Sequence, residues 1–282
     1  MKETILKLPR RNRPFTISFR SMGDMNVNRR GIGVFIQIVI AALMVIITVA
    51  PAFSAEMVTF KGTGQDTVIA RLTKPDGKGP FPAMILLHGS LGFDKHYDGW
   101  AERLASWGYV ALLLDSFGPR GQSGLSDPPS TRAQDICYAK YYLNELRFVD
   151  SKRIGVIGWS QRGSSALAAL CARFPSLQKE YPFRAVVTFY PYCFRTLAGL
   201  DFPLLILIGE LDDRCPVAVC MERMPRKRTR NEVILKVYPR AYHGFDVEGI
   251  DTSYLDHPFR YNSTAAADAI IQVKTFLSKH LK

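Results

Sequence analysis

The sequence predicts an α/β fold, with a mostly parallel central sheet of about eight strands and helices on both faces. Three observations carry this expectation. Short apolar or β-branched runs alternate with helix-length stretches from residue 56 to the end. Two of those runs, Ala83-Met84-Ile85-Leu86-Leu87 and Leu204-Leu205-Ile206-Leu207-Ile208, lack period-two alternation, as strands covered on both faces do. No linker-like segment interrupts the series, so 56–282 reads as one domain. With 282 residues and 47% hydrophobic content, the chain is long and apolar enough to bury a large core. It carries no glycine period, heptad run or long repeat, which excludes fibre, coiled-coil and solenoid classes.

The strands are expected at 57–61, 67–72, 83–88, 109–114, 153–158, 185–190, 204–208 and 233–238. The first two are joined by Gly62-Thr63-Gly64-Gln65-Asp66, a turn sequence that predicts an antiparallel hairpin at one sheet edge. Helices are expected at 96–107, 131–148, 161–173, 216–224 and 263–280. Ser130 or Thr131 supplies a cap for the second of these, and Asn262-Ser263-Thr264 for the last.

Residues 1–55 differ from this body. They hold eight Lys+Arg and two Asp+Glu, so half of the net charge of +12 sits in the first fifth of the chain. Arg29 and Arg30 precede an almost unbroken apolar stretch, Ile32 to Ala50, which ends in Pro51-Ala52-Phe53-Ser54-Ala55. Basic flank, apolar centre and small-residue exit match a secretory signal, with Ala52 and Ser54 placed for cleavage after Ser54. Export to a periplasm or the outside is therefore expected. The rival is an uncleaved membrane anchor with the domain outside the cytoplasm, since about 20 apolar residues can cross a bilayer.

The body is only mildly basic, and no nucleic-acid partner is expected. The run Arg223, Arg226, Lys227, Arg228, Arg230 reads as the solvated end of a helix, where cations suit the dipole. Five cysteines, Cys137, Cys171, Cys193, Cys215 and Cys220, show no C-x-x-C pair and no zinc spacing, so no metal site is predicted. An oxidising compartment permits a disulfide. Cys193 and Cys220 are the preferred pair because both follow neighbouring strands at one end of the sheet, and the alternative is that they stay free and buried.

The chemistry concentrates in Ile154-Gly155-Val156-Ile157-Gly158-Trp159-Ser160-Gln161-Arg162-Gly163. A strand runs into a tight turn at Ser160 and a small-residue helix follows. Such an elbow lifts a hydroxyl above the sheet edge beside a helix N-terminus, whose N–H groups can hold an oxyanion. A serine needs a base. His243 follows the strand at 233–238, and Asp212 follows the strand at 204–208 in Gly209-Glu210-Leu211-Asp212-Asp213, with Asp213 as the rival acid and a helix-capping role as the alternative for Asp212. All three lie beyond carboxyl ends of predicted parallel strands, where open α/β sheets place ligands. His88 belongs to the loop after its strand, His96 and His280 fall on helices and His257 in an irregular segment, so His243 is preferred. The Ser90 and Gln161 backbone N–H groups are the expected oxyanion donors, and Trp159 is a candidate substrate contact.

Together these segments resemble the dienelactone hydrolase family within the α/β-hydrolases, over about Val58 to Leu281. The resemblance rests on Leu87-His88-Gly89-Ser90, Leu114-Asp115-Ser116-Phe117-Gly118-Pro119-Arg120-Gly121, Gly158-Trp159-Ser160-Gln161, Gly209-Glu210-Leu211-Asp212 and Tyr242-His243-Gly244-Phe245. It implies the α/β-hydrolase fold, the Ser160, Asp212 and His243 triad, and cofactor-free hydrolysis of a small-molecule ester or lactone through an acyl-enzyme. Arg120 matches one of the family's pocket arginines. Three departures stand out. The founding enzymes carry cysteine where this chain has Ser160 and glutamate where it has Gly89, so a plain serine mechanism replaces their gated thiol. Their arginine four residues after the histidine is Val247 here, and the elbow's second glycine is Arg162. Arg162 is the feature that a catalytically impaired, hydrolase-fold binding or scaffold protein would explain.

Overall fold

The computed structural model describes residues 53–62, 67–89, 95–115, 129–160, 183–193, 196–227 and 229–281. The expected export segment as far as residue 52 and the helix at 161–173 lie outside the described residues, as do Ser90, Arg120, Gln161 and Arg162. All described residues belong to one compact unit, Ala52–Lys282. Among them, no helix is long and apolar enough to cross a membrane.

Eight strands form one sheet: β1 Ala55–Lys61, β2 Thr67–Thr73, β3 Phe81–Leu87, β4 Val110–Asp115, β5 Val149–Trp159, β6 Ala185–Phe189, β7 Leu204–Gly209 and β8 Val233–Tyr238. Their spatial order is β1-β2-β4-β3-β5-β6-β7-β8. β1 and β2 pair antiparallel at the edge, Ala55 opposite Thr73, and β2 joins β4 antiparallel. Every other neighbour is parallel. The predicted α/β-hydrolase architecture, with its mostly parallel sheet and edge hairpin, is the one observed. All six residues of β7 and the last five of β3 are buried, which is why neither alternates.

The helices are α1 Lys95–Ser106, α2 Pro129–Glu145, α3 Val217–Arg223 and α4 Ser263–His280. α1 buries Tyr97, Trp100, Ala101, Leu104 and Ala105, a spacing that lays one face on the sheet. α4 buries Ala265, Ala269, Val273, Phe276 and Leu277 in the same way. The Asn262 side chain accepts from the Ala265 N–H as its cap. At its far end, Lys279 Nζ donates to Glu232 Oε2 at 2.7 Å, tying the helix to the segment that leads into β8. α2 starts at Pro129, ahead of the Ser130 or Thr131 cap expected from sequence; proline's fixed φ suits a first helical position. It ends at Glu145 rather than 148, because Val149 already pairs with Phe81 in the sheet.

A second, two-stranded sheet was not foreseen. β9 Asp251–Tyr254 and β10 His257–Arg260 pair antiparallel, so His257 lies on a strand rather than in an irregular segment. The turn between them has Leu255 at φ 50° and Asp256 at φ 64°. Left-handed turns of this kind normally announce themselves with Gly or Asn, and Leu-Asp carries no such signal.

The strand order fixes where a site can form. From β3 the chain moves to β4 on one side, whereas from β5 it moves to β6, β7 and β8 on the other. The crevice beyond the carboxyl ends of β3 and β5 is therefore the switch point at which such sheets bind ligands. Register brings Leu87, Gly158, Thr188 and Ile206 level across that edge. His88-Gly89, Ser160, Tyr190 and the β7 and β8 loops all emerge there.

Candidate active site

Ser160 directly follows β5 and has φ 61°, a left-handed conformation that a non-glycine residue adopts only under constraint. This is the strained turn expected of a nucleophile elbow. Its Oγ lies 2.8 Å from His243 Nε2, and His243 Nδ1 lies 2.8 Å from Asp212 Oδ2. With Asp212 ionised, Nδ1 carries the ring proton and Nε2 accepts from the serine hydroxyl. His243 is fully buried and Asp212 and Ser160 nearly so, which keeps water from competing for these bonds.

The acid loop and the histidine loop are laced together by backbone. The Glu210 N–H donates to Tyr238 O at 2.9 Å, and the Leu211 N–H to Ala241 O at 2.9 Å. Gly209 makes this approach possible, since a Cβ there would collide with the Ala241 carbonyl. The second oxygen of Asp212 accepts the Cys215 N–H at 2.8 Å, so both its oxygens are held. Asp212 is thus committed to His243 and to its own loop, and it does not cap α3, whose N-cap is Pro216. Asp213, the rival acid, is half-exposed and sits 3.1 Å from His257 Nδ1 instead.

The histidine loop is fixed on its other side by the second sheet. Arg260 N–H donates to His243 O at 3.2 Å, and the Asn262 N–H to Phe245 O at 2.9 Å. Two rings pack on the imidazole, Tyr190 at 4.4 Å and Phe259 at 4.7 Å between centroids. These rings, with Tyr97, Val247, Ile250 and Tyr254, enclose a cavity of about 20 Å³ against Ser160, room for a water-sized group.

Trp159 does not line this cavity. Its side chain is fully buried, stacked on Phe189 at 5.2 Å, and its indole N–H donates to Asp246 Oδ2 at 3.0 Å. Successive strand residues face opposite sides of the sheet, and Trp159 falls on the side packed by Trp100 of α1. Gly89 stands where the resemblance puts a glutamate. A Cβ at that position would lie 3.1 Å from the Tyr97 hydroxyl, which accepts the Gly89 N–H at 2.9 Å.

Sequence reasoning missed Tyr97, Tyr190 and Asp246. Tyr190 immediately follows a fully buried strand at the active edge, which is a visible signal, whereas the place of Asp246 three residues after His243 says nothing of its distant partners. Asp246 takes the Tyr190 hydroxyl on Oδ1 at 2.8 Å, and His96 Nε2 lies 3.1 Å from its Oδ2. Burial works to raise this carboxyl, but the facing His96 and the bonds from His96, Trp159 and Tyr190 outweigh it and hold it below the usual carboxylate range. Burial, reinforced by the Asp246 charge, pushes the Tyr190 phenol well up, so it stays a donor.

Among the described residues, Asp212, Cys215 and His243 bring ligand-type atoms within 4.8 Å of one another. Two of them are already bonded to each other. Burial and the neighbouring Asp212 push the Cys215 thiol up, so it is held as a neutral thiol, a poor metal ligand. Cys193 and Cys220, the pair expected from sequence, form a disulfide.

The dienelactone hydrolase family matches residues 68–281. The chain is 29% identical over 161 residues to "Lipase 1" of Moraxella sp. (strain TA144), covering 55% of this chain and 45% of that protein. It is 26% identical over 205 residues to the Bradyrhizobium sp. protein named "Probable 2-oxo-3-(5-oxofuran-2-ylidene)propanoate lactonase", covering 65% of this chain and 81% of that one. The fold is similar to that of the dienelactone hydrolase-like promiscuous phosphotriesterase P91 from metagenomic libraries, with a TM-score of 0.68 at 20% identity over 82% of this chain and 100% of that one. This chain thus spans less than half the length of the Moraxella protein and most of the other two.

Proposed function

Because the chain belongs to the dienelactone hydrolase family, we propose that it hydrolyses a carboxylic ester or lactone through an acyl-enzyme on Ser160. The observation that carries this reading is the relay itself: Ser160 Oγ to His243 Nε2 at 2.8 Å and His243 Nδ1 to Asp212 Oδ2 at 2.8 Å, on a strand-end turn with φ 61°. Its similarity to proteins named as a lipase and a probable lactonase supports the substrate class.

In the proposed cycle His243 Nε2 takes the Ser160 proton as Oγ attacks the carbonyl carbon, and Asp212 stabilises the imidazolium that forms. The carbonyl electron pair moves onto oxygen, where the backbone N–H groups of Ser90 and Gln161 are the proposed donors. The tetrahedral intermediate collapses, and the leaving alkoxide takes the proton from His243. Water, deprotonated by the same imidazole, then releases the acid and frees Ser160. Serine in place of the founding enzymes' cysteine, together with a glycine at position 89, favours this plain relay over a gated thiol. Val247 on the cavity wall, where those enzymes hold an arginine, favours uncharged acyl groups. Arg120, which matches the family's other pocket arginine, is the proposed substrate contact that remains.

Export is part of the same proposal. The N-terminal pattern of basic flank, apolar stretch and small-residue exit supports it, and so does the Cys193–Cys220 disulfide, a bond kept in oxidising compartments.

A panel of p-nitrophenyl esters and aliphatic lactones, run on wild type and Ser160→Ala, tests the activity. Turnover in the wild type that falls at least a thousandfold in Ser160→Ala is expected. Equal turnover in both would overturn the assignment.

A further inference from the structure

The relay explains Asp212 but leaves a second buried carboxylate, Asp246, unaccounted for on the same loop as the histidine. Its partners come from three different elements. The indole N–H belongs to Trp159, the residue before the nucleophile; the hydroxyl belongs to Tyr190, at the end of β6; the imidazole belongs to His96 on α1. The Asp246 side chain is 3% exposed, and Tyr190 is buried as well. A carboxylate in such a place is tolerated only when its oxygens are fully engaged.

Tyr190 links this cluster to the reacting groups. Its φ of 38° is left-handed, an unfavourable backbone for a bulky side chain. In that conformation its ring lies 4.4 Å from the His243 ring, on the cavity wall beside Ser160. The hydroxyl bond to Asp246 and the Tyr190 N–H bond to Leu207 O hold the residue there against its backbone preference.

We propose that Asp246 and Tyr190 act as positioning residues for the proposed relay: Asp246 ties the residue before Ser160 to the loop carrying His243, and holds the Tyr190 ring against the imidazole so that Nε2 stays aimed at the serine hydroxyl. This rests on the hydrolase reading above. Neither residue donates a proton to substrate. Both act through His243, whose imidazole gains a fixed wall in the Tyr190 ring. The bond to Trp159 makes the arrangement reciprocal, because a shift of the histidine loop would strain the strand end from which Ser160 springs.

Tyr190→Phe removes one hydroxyl, and Asp246→Asn keeps the shape while removing the charge. Each is expected to lower kcat for p-nitrophenyl acetate about 10- to 100-fold, with KM within about twofold, because a misaimed base affects the transition state more than ground-state binding. The double variant is expected to be no more than about threefold worse than the poorer single, since Tyr190→Phe removes and Asp246→Asn weakens the same charge-assisted bond. The Nδ1 proton resonance of His243, read by NMR on the resting protein, is expected to broaden or move in both variants and to be unchanged in Asp213→Asn. Wild-type kcat and an unmoved resonance in Tyr190→Phe would overturn the proposal, as would a loss confined to melting temperature. If Asp246→Asn does not fold, Tyr190→Phe decides alone. Should the wild type prove inactive, the hydrolase reading fails by that result, and the resonance still decides the positioning role.

Discussion

Replacing Asp212 by asparagine would separate the relay from mere proximity. Asp212 has two occupied oxygens: Oδ1 accepts the Cys215 N–H at 2.8 Å, and Oδ2 faces His243 Nδ1 at 2.8 Å. In Asp212→Asn the amide oxygen must remain on the Cys215 side, because an NH2 group there would meet an N–H donor. The NH2 therefore faces Nδ1 and makes it the acceptor. The ring proton moves to Nε2, which then donates to Ser160 instead of accepting from it, and the base is lost although every atom stays in place. A wrong-tautomer triad loses on the order of 10⁴ in kcat, equivalent to about 5.5 kcal/mol. Steady-state hydrolysis of p-nitrophenyl acetate, with thermal melts as the folding control, measures this. Asp213→Asn is the matched comparison. Its carboxylate is half-exposed and pairs only with His257 among the described contacts, so kcat within about twofold of wild type is expected. A folded Asp212→Asn that keeps more than a tenth of wild-type kcat, or a larger loss in Asp213→Asn, would refute the reasoning.

Two predictions concern stability. Burial, opposed by the nearby Cys137, pulls the Lys140 ammonium down from its usual range to about 8, so the folded protein binds that proton less readily than the unfolded chain. The resulting penalty is fully present below pH 8 and fades as pH rises through the unfolded lysine value near 10.5. Lys140→Met is therefore expected to lift this penalty and stabilise the protein by about 1–2 kcal/mol at pH 7, net of the contacts the ammonium makes, the Phe183 ring among them. The gain should vanish above about pH 10.5 in urea titrations, and a gain that grows with pH would contradict the sign. Opening the Cys193–Cys220 disulfide, which closes a loop of sequence separation 27, should cost about 3.5 kcal/mol by loop entropy. The Cys193→Ala/Cys220→Ala variant should melt several degrees lower, and an unchanged melting temperature would remove the bridge from the account.

What was legible in the sequence follows from which constraints are local. The buried strands β3 and β7 announce themselves because a strand covered on both faces must be apolar at every position. The elbow was legible because a strand, a tight turn and a helix start fall within ten residues. His243 and Asp212 could be placed because parallel strands put their following loops on one edge, and the same argument paired Cys193 with Cys220. Trp159, expected from sequence to contact substrate, packs instead in the aromatic layer from α1, because sequence does not tell which sheet face a strand's last residue takes. The β9–β10 hairpin was missed because its turn uses Leu255 and Asp256 at positive φ. Asp246 went unrecognised because its partners lie far away in the chain, at positions 96, 159 and 190. Nothing in the local sequence marks such a convergence.

The central claim is that Ser160 is a hydroxyl made nucleophilic by His243 and Asp212. Incubating the folded protein with a fluorophosphonate, then mapping the modified peptide by mass spectrometry, tests it most directly. The account predicts a single adduct on Ser160, formed at a rate that drops at least a thousandfold in His243→Ala and in Asp212→Asn. An unlabelled Ser160 in folded wild type, or labelling that proceeds equally well without His243, would contradict it.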